Sequence, residues 1–116
     1  MKSRVAVVQI KSGMPTVAEA RRRLALELES GRRRGLRLLK LVHGYGSTGV
    51  GGKLRGALRR TLAEQQAAGR VGRILPGEQW TIFDEQARGL LESYPELRTD
   101  ADLERGNAGI TLVELR

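Results

Sequence analysis

The stretch HGYGSTGVGGKLR, His43 to Arg55, combines residue types that could bind a phosphate group and move a proton. Five glycines fall within residues 44–52, and Lys53 and Arg55 follow at once. Glycines let a backbone approach a phosphate closely, and cations offset the phosphate's charge. His43 is the only histidine of the chain, and a neutral imidazole can act as a general base or contact a phosphate. It can equally hydrogen-bond the loop backbone and hold its shape.

A strand is expected before this loop and a helix after it. LRLLKLV, residues 36–42, is apolar enough for a buried strand. Leucines repeat at helical spacing through residues 54–62, which predicts a helix from Gly51 or Gly52 to about Ala68. A helix N-terminus after a strand favours an anion, because its first N–H groups are unpaired and its dipole is positive. Cations in a first helical turn oppose that dipole, so they too indicate an anionic ligand.

The remaining elements complete an alternating pattern. Apolar, β-branched runs predict three further strands, over residues 4–11, 70–75 and 110–115. The capping-box spacing of Thr16–Glu19 predicts another helix, and an apolar stripe predicts a third over residues 82–94. The order βαβαβ(α)β predicts an α/β two-layer sandwich with a mixed four-stranded sheet, in one domain over residues 1–116.

An acidic segment at about residues 76–107, which includes the third helix, lies between the third and last strands. Three roles are open for this insert: covering a sheet edge, capping part of a groove, or mediating self-association. Trp80 is expected to pin the insert to the core, and stacking on a base or sugar is its alternative role.

Charge is distributed unevenly along the chain. Residues 1–60 hold 15 Lys and Arg against 3 Asp and Glu, whereas residues 61–116 hold 6 against 10. The net charge is +8 and the pI is near 11. Such an asymmetry favours a polyanionic partner, nucleic acid first and an anionic membrane surface second.

Composition excludes several classes of site. The chain has no cysteine, hence no disulfide, thiol nucleophile or cysteine-based zinc site, and one histidine cannot build a multi-histidine metal centre. No apolar run approaches the roughly 18–20 residues of a membrane span, and no signal-type apolar segment opens the sequence. We therefore predict a cytoplasmic protein with no membrane segment.

Two familiar phosphate motifs fit the glycine loop poorly. The pattern GxxxxGK[ST] fails at Ser47 and again at Leu54. The dinucleotide pattern GxGxxG matches residues 44–49, but it follows the second strand, and the next strand does not end in an acidic residue for a ribose. A small nucleotide- or anion-binding domain stays an alternative, as does a regulatory domain that works through the acidic insert.

The stretch LKLVHGYGSTGVGGKLRGAL resembles the hallmark LxxxHGxGxGxLR of the Smr (small MutS-related) domain family, with the loop lengthened around residues 47–50. TVAEA, residues 16–20, and GITLVEL, residues 109–115, fit the same family. The resemblance implies a fold like the C-terminal domain of a bacterial translation initiation factor. It also implies binding to DNA or RNA, and several members of the family are endonucleases.

The first strand departs from the family pattern. Members usually carry LDLHG there, whose Asp and His are tied to nuclease activity, whereas this chain has Gln9 and Lys11 at those positions. The departure weakens an endonuclease prediction more than a binding prediction. An endonuclease would rely on His43 as its catalytic residue and on a loosely held Mg²⁺; no residues are predicted as metal ligands.

We therefore predict a nucleic-acid-binding domain that grips the phosphate backbone with the His43–Arg55 loop and the basic helix after it; a DNA or RNA endonuclease using His43 is the alternative. The predicted contact residues are Lys11, Gly44, Tyr45, Gly46, Gly49, Gly51, Gly52, Lys53, Arg55, Arg59 and Arg60. The sequence does not predict an oligomeric state.

Overall fold

The computed structural model describes the backbone of residues 3–44 and 50–116, and the side chains of residues 3–44 and 52–116. The helices and strands are β1 Val5–Gln9, α1 Val17–Arg33, β2 Leu38–Val42, α2 Val50–Ala67, β3 Val71–Pro76, α3 Glu85–Ser93 and β4 Ile110–Leu115. Short 3₁₀ turns at Gly77–Gln79 and Pro95–Thr99 flank α3. None of the helices in the described ranges is both long enough and apolar enough to cross a membrane.

One mixed sheet joins the strands in the order β1-β2-β4-β3. β1 and β2 are parallel, and β4 runs antiparallel to both β2 and β3, so β1, β2 and β3 point the same way. α1 connects β1 to β2, and α2 connects β2 to β3. The predicted α/β fold with a mixed four-stranded sheet is confirmed.

Local signals set the ends of the first two helices. Thr16 Oγ1 accepts the Glu19 N–H at 3.1 Å, and Glu19 Oε1 accepts the Thr16 N–H at 3.3 Å, which closes the predicted capping box. Gly35 follows α1 with a φ of +75°, and Gly69 follows α2 with the same φ. Glycine adopts this left-handed conformation without the steric penalty of a Cβ atom, so Gly69 acts as the predicted stop.

The central strands are buried on both faces, which explains their nearly continuous apolar sequence. Alternate residues enter two different cores. The core beneath α1 and α2 takes Leu39, Leu41, Val113 and Leu115 from the central strands. The core on the other face takes Leu38, Ile110 and Leu112.

The insert, residues 76–107, packs on that second face of the sheet. Trp80 is fully buried there with Leu90, as predicted for an anchor of the insert. α3 begins at Glu85, later than the predicted residue 82, because the Asp84 side chain caps the helix by accepting the Ala87 N–H at 2.9 Å.

A buried lysine fastens the insert to the sheet. Lys40 of β2 is 6 % exposed, and its Nζ donates to Asp100 Oδ1 at 2.9 Å and pairs with Asp102. Burial by itself lowers the pKa of Lys40, but the hydrogen bonds to Asp102 and Asp100 raise it above its usual value. Trp80 Nε1 donates to the second oxygen of Asp100 at 3.0 Å. Charge pairing thus anchors the acidic insert inside the fold.

Candidate nucleic-acid interface

Several of the predicted site residues that the structure describes lie where β1, β2 and β3 end, which we call the carboxyl end of the sheet. Because these strands are parallel, Lys11, His43 and Glu78 follow their ends at the same edge. α1 and α2 begin there too. This common edge brings the β1–α1 connection and the glycine loop side by side.

His43 is buried, 1 % exposed, and both ring nitrogens have partners. Nδ1 lies 2.7 Å from the Gly44 carbonyl oxygen, and Nε2 lies 2.8 Å from Thr111 Oγ1. A carbonyl oxygen only accepts, so Nδ1 carries the proton. In a neutral ring Nε2 then accepts a hydrogen bond from the Thr111 hydroxyl.

The electrostatics of this pocket favour the neutral ring. Burial, with the positive charges of Arg59 and Arg55, lowers the pKa of His43 below its usual value of 6.5. The Gly44 carbonyl opposes that shift without reversing it. His43 therefore fits the second sequence interpretation, a residue that holds the start of the loop, and its one lone pair is engaged by Thr111.

Arg59 supports Thr111 from α2. Its Nε donates to Thr111 Oγ1 at 3.1 Å, which leaves the hydroxyl proton for His43. Its two terminal nitrogens donate to both oxygens of Glu78, at 2.9 and 2.7 Å, and one of them also reaches the Ile110 carbonyl at 3.1 Å. Arg59 was predicted to contact phosphate, and here most of its donors point into the protein.

The backbone at the loop start is also anchored. The N–H groups of His43 and Gly44 both donate to the Gly109 carbonyl at 3.0 Å. Gly44 has a φ of +79°, and a Cβ at this position would lie 3.5 Å from Lys11 Cδ. The Lys11 side chain therefore lies against the start of the glycine loop. It is exposed, next to the predicted binding surface.

The other cations of α2 have different surroundings. Lys53 and Arg60 are exposed, and Arg55 is half-buried. Among the described residues, no carboxylate lies within 4 Å of any of these three side chains. The sequence predicts phosphate contacts for Lys53, Arg55 and Arg60, and these contacts stay a prediction.

The structure describes only some of the predicted contacts in the glycine loop. Gly51 and Gly52 lie in the first turn of α2, and a Cβ added at Gly52 would meet nothing within 4 Å. The predicted contacts Tyr45, Gly46 and Gly49 lie outside the described residues.

The β1–α1 connection offers no set of magnesium ligands. Gln9 and Lys11 stand at the positions where the family carries Asp and His, and a lysine is not a magnesium ligand. Within the described residues no group of three or more His, Asp or Glu side chains is arranged to hold a metal ion. Arg23 instead holds this connection by donating to the Ile10 carbonyl at 3.0 Å and to the Ser12 carbonyl.

Sequence reasoning missed two members of the site. Thr111 is a lone hydroxyl within the apolar run ITLVEL, and strand alternation alone places it on the face that α1 and α2 cover. Glu78 follows the third predicted strand, and the sequence does not show that this strand ends beside α2.

The fold and this edge define a class of protein: a small mixed-sheet α/β domain with a cationic helix start beside a histidine-anchored glycine loop. The Smr domain family model matches residues 12–81, more than half of the chain, and the chain belongs to that family. Smr domains bind nucleic acids, and some are nicking endonucleases.

A solved structure agrees with the family. The chain is similar to the Smr domain of Thermus thermophilus MutS2, with a TM-score of 0.56 and 27 % sequence identity. The similarity covers 100 % of this chain and 99 % of that one. No curated protein matches the chain.

Proposed function

We propose that this Smr domain binds the phosphate backbone of nucleic acid with the His43–Arg55 loop and the first turns of α2. The observation that carries the proposal is the set of cations Lys53, Arg55 and Arg60, which have no carboxylate within 4 Å among the described residues. Lys11 adds a further positive charge beside Gly44. Binding that depends on such contacts is independent of base sequence and falls steeply with salt.

The geometry of His43 supports binding over cleavage. Its Nε2 lone pair accepts from Thr111, and its Nδ1–H donates to the Gly44 carbonyl. A general base must reach the proton that it removes, and here the ring would first have to leave both partners. In the proposal, His43 and Arg59 are positioning residues, which fix the loop start and the β4 backbone against α2.

The test is a salt titration of binding to matched single- and double-stranded DNA and RNA, with Mg²⁺ present and the products run on a denaturing gel. For the duplexes, Lys53→Ala and Arg55→Ala should each reduce the slope of log K against log salt by about 0.9. Affinity should fall for every sequence alike, because phosphate contacts carry no base information.

Arg98→Ala is the matched control, since it removes the same charge from the Pro95–Thr99 turn, whose Glu96 pairs with Arg4 just before β1 begins, at the opposite end of that strand from Lys11. It should leave the slope within the error of the wild type. Unchanged slopes in both Lys53→Ala and Arg55→Ala would reject the proposed surface. Cut product that disappears in His43→Ala would establish the endonuclease alternative instead.

A further inference from the structure

α1 and α2 lie side by side on one face of the sheet, with a groove between their outer surfaces. Along the later parts of both helices, Ala25, Glu29 and Arg32 of α1 line it together with Thr61 and Gln65 of α2 and with Arg70. Both helices begin at the carboxyl end of the sheet and run the same way, because β1, β2 and β3 are parallel. One helical turn from Ala25 toward that end, α1 presents Arg21.

Arg21 and Arg22 are both exposed. Among the described residues, no carboxylate lies within 4 Å of either guanidinium. Glu19, the nearest acidic residue in the sequence, accepts the Thr16 N–H in the capping box. Hydrogen bonding with Thr16, and then the charge of Arg22, lower the pKa of Glu19 below its usual value.

Two exposed cations of α2 stand on the other side of the groove. The buried face of α2 carries Leu54, Leu58 and Leu62. Helical spacing therefore directs Lys53 and Arg60 outward, and Thr61 and Gln65 of the same helix line the groove. Like charges gathered on neighbouring helices repel one another unless an anion lies between them.

We propose that Arg21 and Arg22 extend the phosphate-binding surface from α2 onto α1, so that a nucleic acid backbone crosses the α1–α2 groove near the carboxyl end of the sheet. The inference rests on the proposed function and names the second wall of the same site. The ligand chemistry is the phosphodiester backbone, read through charge and independent of base sequence.

The test compares two arginine pairs on one helix. Arg21→Ala/Arg22→Ala removes two charges from the proposed surface, and Arg33→Ala/Arg34→Ala removes two exposed charges from the other end of α1, about 18 Å away along its axis. With a duplex probe of fixed length, the first variant should lower the salt slope by about 1.8 and weaken affinity about tenfold or more near 0.1 M salt. The second should match the wild type.

A charge-conserving variant separates binding from folding. Arg21→Lys/Arg22→Lys should keep most of the affinity, because a lysine also neutralises a phosphate. Circular dichroism of each variant should match the wild type, since these side chains are exposed.

The outcomes separate this inference from the function on which it rests. If Lys53→Ala weakens binding while Arg21→Ala/Arg22→Ala behaves like Arg33→Ala/Arg34→Ala, the α1 surface is rejected and the proposed function stands. Equal losses in both arginine pairs would also overturn it, because net charge alone would then set the affinity. A wild type that binds no nucleic acid at low salt would overturn both proposals.

Discussion

Several carboxylates of the acidic insert and three cations of α2 have opposite surroundings. Carboxylates of the insert are engaged within the fold: Asp84 caps α3, Glu78 holds Arg59, Glu96 holds Arg4, and Asp100 and Asp102 hold Lys40. Lys53, Arg55 and Arg60 of α2 have no carboxylate within 4 Å in the described part of the chain. The insert therefore supplies a counter-charge to Arg59 of α2, through Glu78, but not to Lys53, Arg55 or Arg60.

This contrast separates stability from binding. Asp100 and Asp102 pair with a buried lysine and Asp84 caps α3, so the loss of these carboxylates should destabilise the protein, whereas the Arg4–Glu96 pair is exposed and should contribute little. Lys53 is exposed in the first turns of α2 and opposes the helix dipole, so its loss should spare stability and weaken binding. A variant of the insert that changes nucleic-acid affinity but not stability, or a variant of the α2 cations that changes stability but not affinity, would contradict this division.

The largest effect is expected for Lys40→Ala. The substitution leaves Asp100 and Asp102 facing each other without their shared cation, and removing one partner of a buried ion pair typically destabilises a protein by about 3–5 kcal/mol. Urea denaturation measures the loss. Lys53→Ala is the matched control, because it removes the same side chain from an exposed position and should change the free energy of unfolding by less than about 0.5 kcal/mol.

The two lysine variants should also differ in binding, in the opposite order from their effects on stability. Folded Lys40→Ala should keep the wild-type salt slope for nucleic acid, whereas Lys53→Ala should lower it. A stability loss under about 1 kcal/mol in Lys40→Ala would show that the insert is held by its apolar core alone, with Trp80 as the anchor.

The sequence predicted the parts of the fold that depend on neighbouring residues. The capping box at Thr16, the stop at Gly69 and the apolar strands are local patterns, and the structure contains each of them. The position of the insert could not be predicted, since Lys40 meets Asp100 across 60 residues of sequence. Within LRLLKLV, Lys40 resembles the solvent-facing residue of a strand.

The candidate site divides in the same way. The proposal that the loop binds phosphate depends on residue types that are adjacent in the chain. The hydrogen bond between His43 and Thr111 spans 68 residues, and that between Arg59 and Thr111 spans 52. Only the register of β4 against β2 brings them together, with Thr111 paired to Leu41.

A smaller effect, about 1–3 kcal/mol, is expected for Thr111→Val. Valine has nearly the shape of threonine, so the substitution removes the hydroxyl and leaves His43 Nε2 and Arg59 Nε without a shared partner. The measurement is again urea denaturation. Thr61→Val is the control. The Thr61 hydroxyl donates to the Ala57 carbonyl one turn earlier in α2, so its removal should leave no buried group without a partner. Equal losses in both variants would show that the Thr111 hydroxyl has no special role.

The smallest effect is a pH dependence that isolates His43. As the only histidine, it is the side chain whose usual pKa, 6.5, falls between pH 7 and 5.5. Its folded pKa is lowered, chiefly by burial, so on acidification the unfolded chain takes up the proton first. The stabilisation is therefore present above the usual pKa of 6.5 and is lost as the pH falls through the lower pKa of the folded protein. His43→Gln should remove this dependence.

The sign of that pH dependence also decides what His43 can do. A fall in stability on acidification means that the folded protein favours the neutral ring, with the Thr111 hydroxyl donating to Nε2. Nitrogen chemical shifts of the ring should then show the proton on Nδ1 at pH 7. A rise in stability would mean that the folded protein favours the charged ring, with both nitrogens donating. The histidine at the mouth of the loop would then carry a positive charge of its own, and the division between structural and binding charges would no longer hold at His43.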